Sequence, residues 1–143
     1  MCIRDSPGTT ALVPAAGAGA RFGGPKLWAD LSGQPVLAWV LQALGDPASG
    51  VDELVVVTHP SEHRRVMELA SASAPRLGCR CVEGGARRQE SVERGLRLCS
   101  REMVLVHDGA RPDVYKRQVL FIRLASSKAI SITFLTREVG MIC

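Results

Sequence analysis

Three short apolar runs constrain this chain most: Thr10 to Val13 (TALV), Glu53 to Thr58 (ELVVVT) and Met103 to His107 (MVLVH). Each is rich in β-branched residues and shows no polar alternation, which is the pattern of a strand buried on both faces. Amphipathic stretches separate them. Pro35 to Leu44 carries Val36, Leu37, Val40, Leu41 and Leu44 on one helical face, with Pro35 suited to the first turn. Ser61 is placed to cap a second helix running through Val66, Met67 and Leu69, and Gln89 to Leu98 reads as a third. Cys79 to Val82 is a shorter strand between them. Strands alternating with helices predict an α/β fold with a mostly parallel sheet, covered on both faces by right-handed crossovers.

In such sheets, ligands sit beyond the carboxyl ends of the strands. Four turn segments fall there: the glycine loop after Val13, His59-Pro60, Gly84-Gly85 and Asp108. The first is the most informative. LVPAAGAGARFGGPK, Leu12 to Lys26, runs from a strand into a loop containing Gly17, Gly19, Gly23 and Gly24 and ends on Pro-Lys, with Arg21 inside it. Backbone N–H groups free of Cβ obstruction, beside fixed positive charge, are suited to holding a polyphosphate. The loop is not a Walker A motif, because Pro25 separates Gly24 from Lys26 and no Ser or Thr follows. Nor is it the dinucleotide fingerprint, since Phe22 stands where the third glycine belongs. A glycine-rich surface turn is the alternative reading of these residues alone.

Charge and cysteine usage exclude several classes. The net charge of +4 lies wholly in the tail: residues 1–113 hold 13 Lys+Arg and 13 Asp+Glu, and residues 114–143 hold 5 Lys+Arg against Glu138. No basic stripe with interleaved aromatics marks the body, so no nucleic-acid partner is expected. No apolar run approaches a bilayer-spanning length, and the opening MCIRDSPGTT lacks the apolar centre of a signal peptide, so a cytoplasmic setting without membrane contact is expected. Cys2, Cys79, Cys81, Cys99 and Cys143 form no C-x-x-C pair and read as reduced thiols. Cys79 and Cys81 share one strand face, and packing explains them better than metal binding does. His59 and His63 stand four apart, but His59-Pro60 reads as a strand end rather than a metal-binding helix face.

At 143 residues one domain is expected. After Pro112 the character of the chain changes: all 8 prolines lie at or before it, and Gly140 alone of the 14 glycines lies beyond it. Val119 to Leu124 and Ile130 to Leu135 are apolar enough for strands. MCIRDS at the start and DVYKRQ at Asp113 to Gln118 resemble translated adapter or assembly-junction sequence. Native sequence is therefore expected from about Gly8 to Pro112 (8–112, the nucleotide-binding part), with 113–143 an unrelated tail of artefactual origin; a natural but divergent C-terminus is the alternative.

VPAAGAGARFGGPK, GGARRQESVERGL from Gly84 to Leu96 and VLVHDGARP from Val104 to Pro112 together resemble the 2-C-methyl-D-erythritol 4-phosphate cytidylyltransferase family. The resemblance covers about residues 10–112. It implies a Rossmann-like three-layer sandwich of nucleotidyltransferase type, here truncated, and transfer of CMP from CTP to methylerythritol phosphate with Mg²⁺ (or another divalent cation) and release of pyrophosphate. Ribitol 5-phosphate is the alternative acceptor, from the sister family, and a non-catalytic fragment is the alternative outside enzymology.

By the same resemblance Arg21 and Lys26 are the catalytic cations, stabilising charge on the α-phosphorus and pyrophosphate. Pro14, Ala15, Ala16, Gly17 and Gly19 match the nucleotide-contacting backbone. Gly85 and Ser91 match positions beside the cytosine, with a helix cap as the other reading of Ser91, while Arg88 between them forms a salt bridge. Asp108 matches the acidic residue near ribose and metal; Gly109 and Arg111 complete the signature, Gly109 standing where Ala is frequent. Family members carry a dimerisation arm, the acceptor site and a further lysine in their second half, and nothing after Pro112 resembles these. Lys116 and Lys128 are not assigned that role, homodimerisation is doubtful, and little or no transferase activity is expected of this chain.

Overall fold

The computed structural model describes residues 8–17, 26–109, 120–124 and 130–131. In chain order the elements are β1 (Thr9–Pro14), the short β2 (Asp30–Leu31) and β3 (Gln34–Pro35), α1 (Val36–Gly45), β4 (Glu53–Thr58), α2 (His63–Ser73), β5 (Gly78–Glu83), α3 (Arg88–Leu98), β6 (Met103–Val106), β7 (Leu120–Leu124) and β8 (Ile130–Ser131). The main sheet has the order β5-β4-β1-β6-β7-β8. β5, β4, β1 and β6 run parallel, while β7 pairs antiparallel to β6 and β8 antiparallel to β7.

Strand alternation sends side chains to two faces, and each face has its own helical cover. Ala11, Val13, Leu54 and Val56 join Leu37, Val40 and Leu41 of α1 and Val66 and Ala70 of α2 in one cluster. Leu12, Val55, Val57 and Val104 form the other, beneath Val92 and Leu96 of α3. Leu12, Leu37, Leu41 and Leu54 are fully buried, each worth about 1.5–3 kcal/mol of transfer free energy. This is the expected three-layer α/β sandwich. Cys79 and Cys81 pack together on the α1/α2 side, as their spacing implied.

The strand order reverses at β1. The chain passes from β1 to β4 to β5 on one side, then crosses by α3 to β6 on the other. With crossovers of one hand, a reversal puts the returning helix on the opposite face, and α3 is found there. The carboxyl ends of β1 and β6 therefore flank the crevice where ligands bind in folds of this kind.

Three local features depart from the sequence reading. The β2–β3 hairpin was not foreseen; its turn residues Ser32 and Gly33 both have positive φ, 53° and 90°. Ser61 does not cap α2. Instead the His59 imidazole accepts from the Ser61 N–H across a short 3₁₀ turn, Pro60–Glu62, and α2 starts at His63 without a side-chain cap. Pro35 precedes α1 rather than entering it, and the Val36 N–H donates to the Ala29 carbonyl at 3.0 Å.

Candidate functional site

At the reversal, β1 and β6 stay paired past their last ladder residues. The His107 N–H donates to the Leu12 carbonyl at 2.9 Å and the Gly109 N–H to the Pro14 carbonyl at 3.4 Å. On the other side of β1, the Ala15 N–H donates to the Val57 carbonyl at 2.7 Å. Ala15 is buried, Ala16 half-buried and Gly17 exposed. Among the described residues, a Cβ on Gly17 would meet nothing within 4 Å.

The loop between β5 and α3 closes against this segment. A Cβ on Gly84 would lie 2.3 Å from Cβ of Ala16, so the two loops touch only because residue 84 lacks a side chain. The first turns of α3 hold the loop in place. Ser91, buried, accepts the Gly85 N–H on Oγ at 3.0 Å, and Glu90 Oε2 accepts the Ala86 N–H at 2.9 Å. Arg94 donates to the Gly84 carbonyl at 3.0 Å. Glu90 and Arg94 were not singled out from the sequence; their four-residue spacing on a helix following a double glycine is the signal that could have found them.

Lys26 opens a 3₁₀ turn, Lys26–Trp28, whose middle residue Leu27 is buried against the core. A Cβ on Gly109 would lie 3.1 Å from Leu27, so the anchor beside Lys26 sits under the end of β6. The guanidinium of Arg65 lies 3.7 Å from the Trp28 ring centroid, which ties the same turn to α2. The turn that Lys26 opens is therefore anchored on the α1/α2 side of the sheet, next to the end of β6.

Asp108 stands just past β6. Its Oδ2 accepts from Arg88 Nη1 at 3.3 Å, a link from the first residue of α3 to the end of β6. Next to it, burial pushes the His107 imidazole below its ordinary pKa, against the raising effect of its bond to the Asp108 carbonyl and of the nearby carboxylate. Among the described residues no three His, Cys, Asp or Glu side chains gather. Asp108 is a single carboxylate at this end of the sheet, and one carboxylate can serve a magnesium ion whose remaining ligands are water and a substrate's phosphate oxygens.

Of the residues singled out from the sequence, Pro14, Ala15, Ala16, Gly17, Gly85, Ser91, Asp108 and Gly109 thus line one end of the sheet, with Lys26 anchored beside them. Arg21, Gly19 and Arg111 lie outside the described residues. His59 and His63 make local contacts, to Ser61 and to the Thr58 carbonyl.

Comparison with known proteins gives this arrangement a family. The family model described as IspD: 2-C-methyl-D-erythritol 4-phosphate cytidylyltransferase matches residues 9–135. A protein of that name from Synechococcus sp. (strain JA-3-3Ab) is 42% identical over 106 residues, covering 70% of this chain and 45% of the relative. The structure of 2-C-methyl-D-erythritol 4-phosphate cytidylyltransferase from Thermus thermophilus aligns with TM-score 0.52 and 37% identity, covering 75% of this chain and 43% of that one. The 4-diphosphocytidyl-2C-methyl-D-erythritol synthase of Anaerococcus prevotii aligns with TM-score 0.62 and 26% identity over 76% of this chain and 46% of its own. The chain spans about half the length of the curated relatives it matches, 45% and 47% for two of them. Matched by the family model over most of its length and by relatives at this identity, the chain belongs to the 2-C-methyl-D-erythritol 4-phosphate cytidylyltransferase family.

Proposed function

We propose that the chain forms the CTP-binding part of a cytidylyltransferase that transfers CMP from CTP to 2-C-methyl-D-erythritol 4-phosphate, a step of isoprenoid biosynthesis, in the cytoplasm. One observation carries this reading: Ala15 to Gly17, the Gly84–Gly85 loop and Asp108–Gly109 converge at the sheet reversal, in a chain of this family. In the reaction an oxygen of the acceptor phosphate bonds to the α-phosphorus, the bond to the bridging oxygen breaks, and pyrophosphate leaves. The protein's part is positioning and charge. Lys26, with Arg21, stabilises negative charge on the triphosphate; Gly17 and Gly19, having no side chain, let it approach the backbone closely. Asp108 would hold a divalent cation, which would screen the phosphates when bound; Arg111 is assigned to the same site by its match to the family signature alone.

Base selection follows from the loop. The Gly85 and Ala86 N–H groups are taken by Ser91 and Glu90 and the Gly84 carbonyl by Arg94, which leaves the Gly85 and Ala86 carbonyls, together with the Ser91 hydroxyl proton, to meet a base. Acceptors favour cytosine, with its exocyclic amine, over uracil, with a carbonyl there.

The test is calorimetric titration of the 143-residue chain with CTP and UTP in the presence of Mg²⁺. CTP is expected to bind at least tenfold tighter than UTP, the worth of about one hydrogen bond gained and one repulsion avoided. Lys26→Ala is expected to weaken CTP about tenfold, and to cut turnover by a larger factor, about 10²–10³, wherever the acceptor half is present. Equal binding of the two nucleotides would remove the base-reading assignment. Gly84→Ala, which drives a methyl group into Ala16, is expected to lower CTP affinity with the fold retained, read by the same titration beside a circular-dichroism melt.

By itself the 143-residue chain is expected to release little or no pyrophosphate from CTP and methylerythritol phosphate. For residues 113–143, a joined, unrelated segment predicts that sequencing reads across Pro112–Asp113 diverge there. Reads running on into Val114 would remove that proposal, an outcome that would accord with the pairing of β7 on β6 and the family match through residue 135.

A further inference from the structure

We infer that Arg88 is a stand-in cation for Asp108: its guanidinium pairs with the carboxylate in the ligand-free chain and gives way to a divalent cation that arrives with the nucleotide. The inference rests on the nucleotide-site reading above and deepens it.

The Asp108 side chain is 23% exposed, so its charge is partly removed from water and a positive partner is favoured beside it in every state. In the free chain Arg88 is one such partner. The contact is made for release. It runs from one nitrogen, Nη1, to one oxygen, Oδ2, at 3.3 Å, where a well-formed charge-assisted bond is about 2.7–2.9 Å and a strong Arg–carboxylate pair is bidentate. The guanidinium end is 67% exposed, so water and salt weaken the pair.

Arg88 and a metal ion therefore compete for the same carboxylate, and the competition has a sign. With a divalent cation in place the carboxylate and ion together carry one net positive charge, and the released guanidinium adds a second at the mouth of an anion site. Both favour a triphosphate. Metal alone must displace Arg88 without that return, whereas metal with nucleotide releases a cation that the nucleotide then uses. Arg88 thus couples the two ligands, making the cation bind weakly until the nucleotide is present.

The discriminating feature is an effect of opposite sign on the two ligands. Free Mn²⁺ can be measured by electron paramagnetic resonance during titration of the full chain, and CTP binding by calorimetry at saturating Mn²⁺. Arg88→Gln is expected to bind Mn²⁺ alone about threefold tighter, the size of an exposed ion pair removed, and to bind CTP with Mn²⁺ about tenfold weaker. Arg88→Lys, which keeps the charge, is expected to stay within about twofold of the parent in both titrations. Asp108→Asn is expected to abolish Mn²⁺ binding, so that the free-ion signal stays undiminished throughout the titration. A merely structural role for Arg88 would weaken both ligands together, and that result, or an unchanged Mn²⁺ affinity in Arg88→Gln, overturns the inference while leaving the nucleotide site standing. Failure of the parent chain to bind CTP with Mn²⁺ would instead overturn the nucleotide-site reading and this inference with it.

Discussion

Gly95→Val is expected to yield no folded protein, and Gly95→Ala to lower stability by about 1–3 kcal/mol. Gly95 lies in the middle of α3, where an alanine ordinarily gains about 1 kcal/mol in helix propensity. Here the packing term is larger and of opposite sign. A Cβ at residue 95 would lie 2.3 Å from Cδ1 of Leu12 and 2.8 Å from Cγ2 of Val57, well inside carbon–carbon contact distance. Both neighbours are fully buried on strands at the centre of the sheet, so neither has space to yield. The helix must lift, and with it Arg88, Glu90, Ser91 and Arg94, which hold the Gly84–Ala86 loop and Asp108. Gly95→Ala should therefore lose CTP affinity along with stability, whereas a Gly95→Ala chain that melts at or above the parent temperature would show that α3 does not rest on β1 as closely as described.

The same helix shows what a sequence can and cannot disclose. Strands buried on both faces were legible because nothing polar interrupts them: the run Glu53 to Thr58 is the observed β4 to the residue, all six positions buried. Helices with a clear apolar stripe, such as α1, were placed within one residue of their ends. β2 and β3 escaped because two-residue strands have no periodicity; their signal was the Ser32-Gly33 turn, which supplies the two positive φ values a tight hairpin needs. The cap of α2 was misassigned because a histidine before proline reads as a strand end, yet its ring nitrogen reaches the Ser61 N–H at 3.3 Å. In the site, residue types were legible and their partners were not. Gly84 and Gly95 are required by Ala16 and Leu12, residues more than sixty positions away, a demand that only the folded chain creates. Arg88 was read as a salt-bridging residue, but its partner Asp108 comes from a different strand end.

At the opposite, amino end of the parallel strands, Glu53→Gln is expected to cost about 2–4 kcal/mol and to flatten the acid limb of the stability profile. Glu53 is the first residue of β4, and its side chain is 12% exposed. Burial raises its pKa, but bonds from the Thr10 hydroxyl, the Ser100 N–H and hydroxyl, and Arg80 oppose it, and the net effect holds the carboxyl below its ordinary value. A folded pKa below the unfolded one contributes stability that is complete above the unfolded value and is lost as pH falls through the folded value. The parent should therefore lose stability from the ordinary carboxylate range downward, where Glu53→Gln, having no proton to bind, should not share that component. Arg80→Gln should cost less, about 1 kcal/mol or below, because that side chain is 46% exposed and solvent screens the pair. The distances to Thr10 (2.6 Å) and Ser100 (2.9 and 3.0 Å) show one carboxylate fastening β1, β4 and the approach to β6 at their amino ends. The carboxyl ends of the same strands carry the crevice, so CTP affinity in still-folded Glu53→Gln should match the parent. A variant equal to the parent in both melting temperature and acid profile would show that the network fastens nothing.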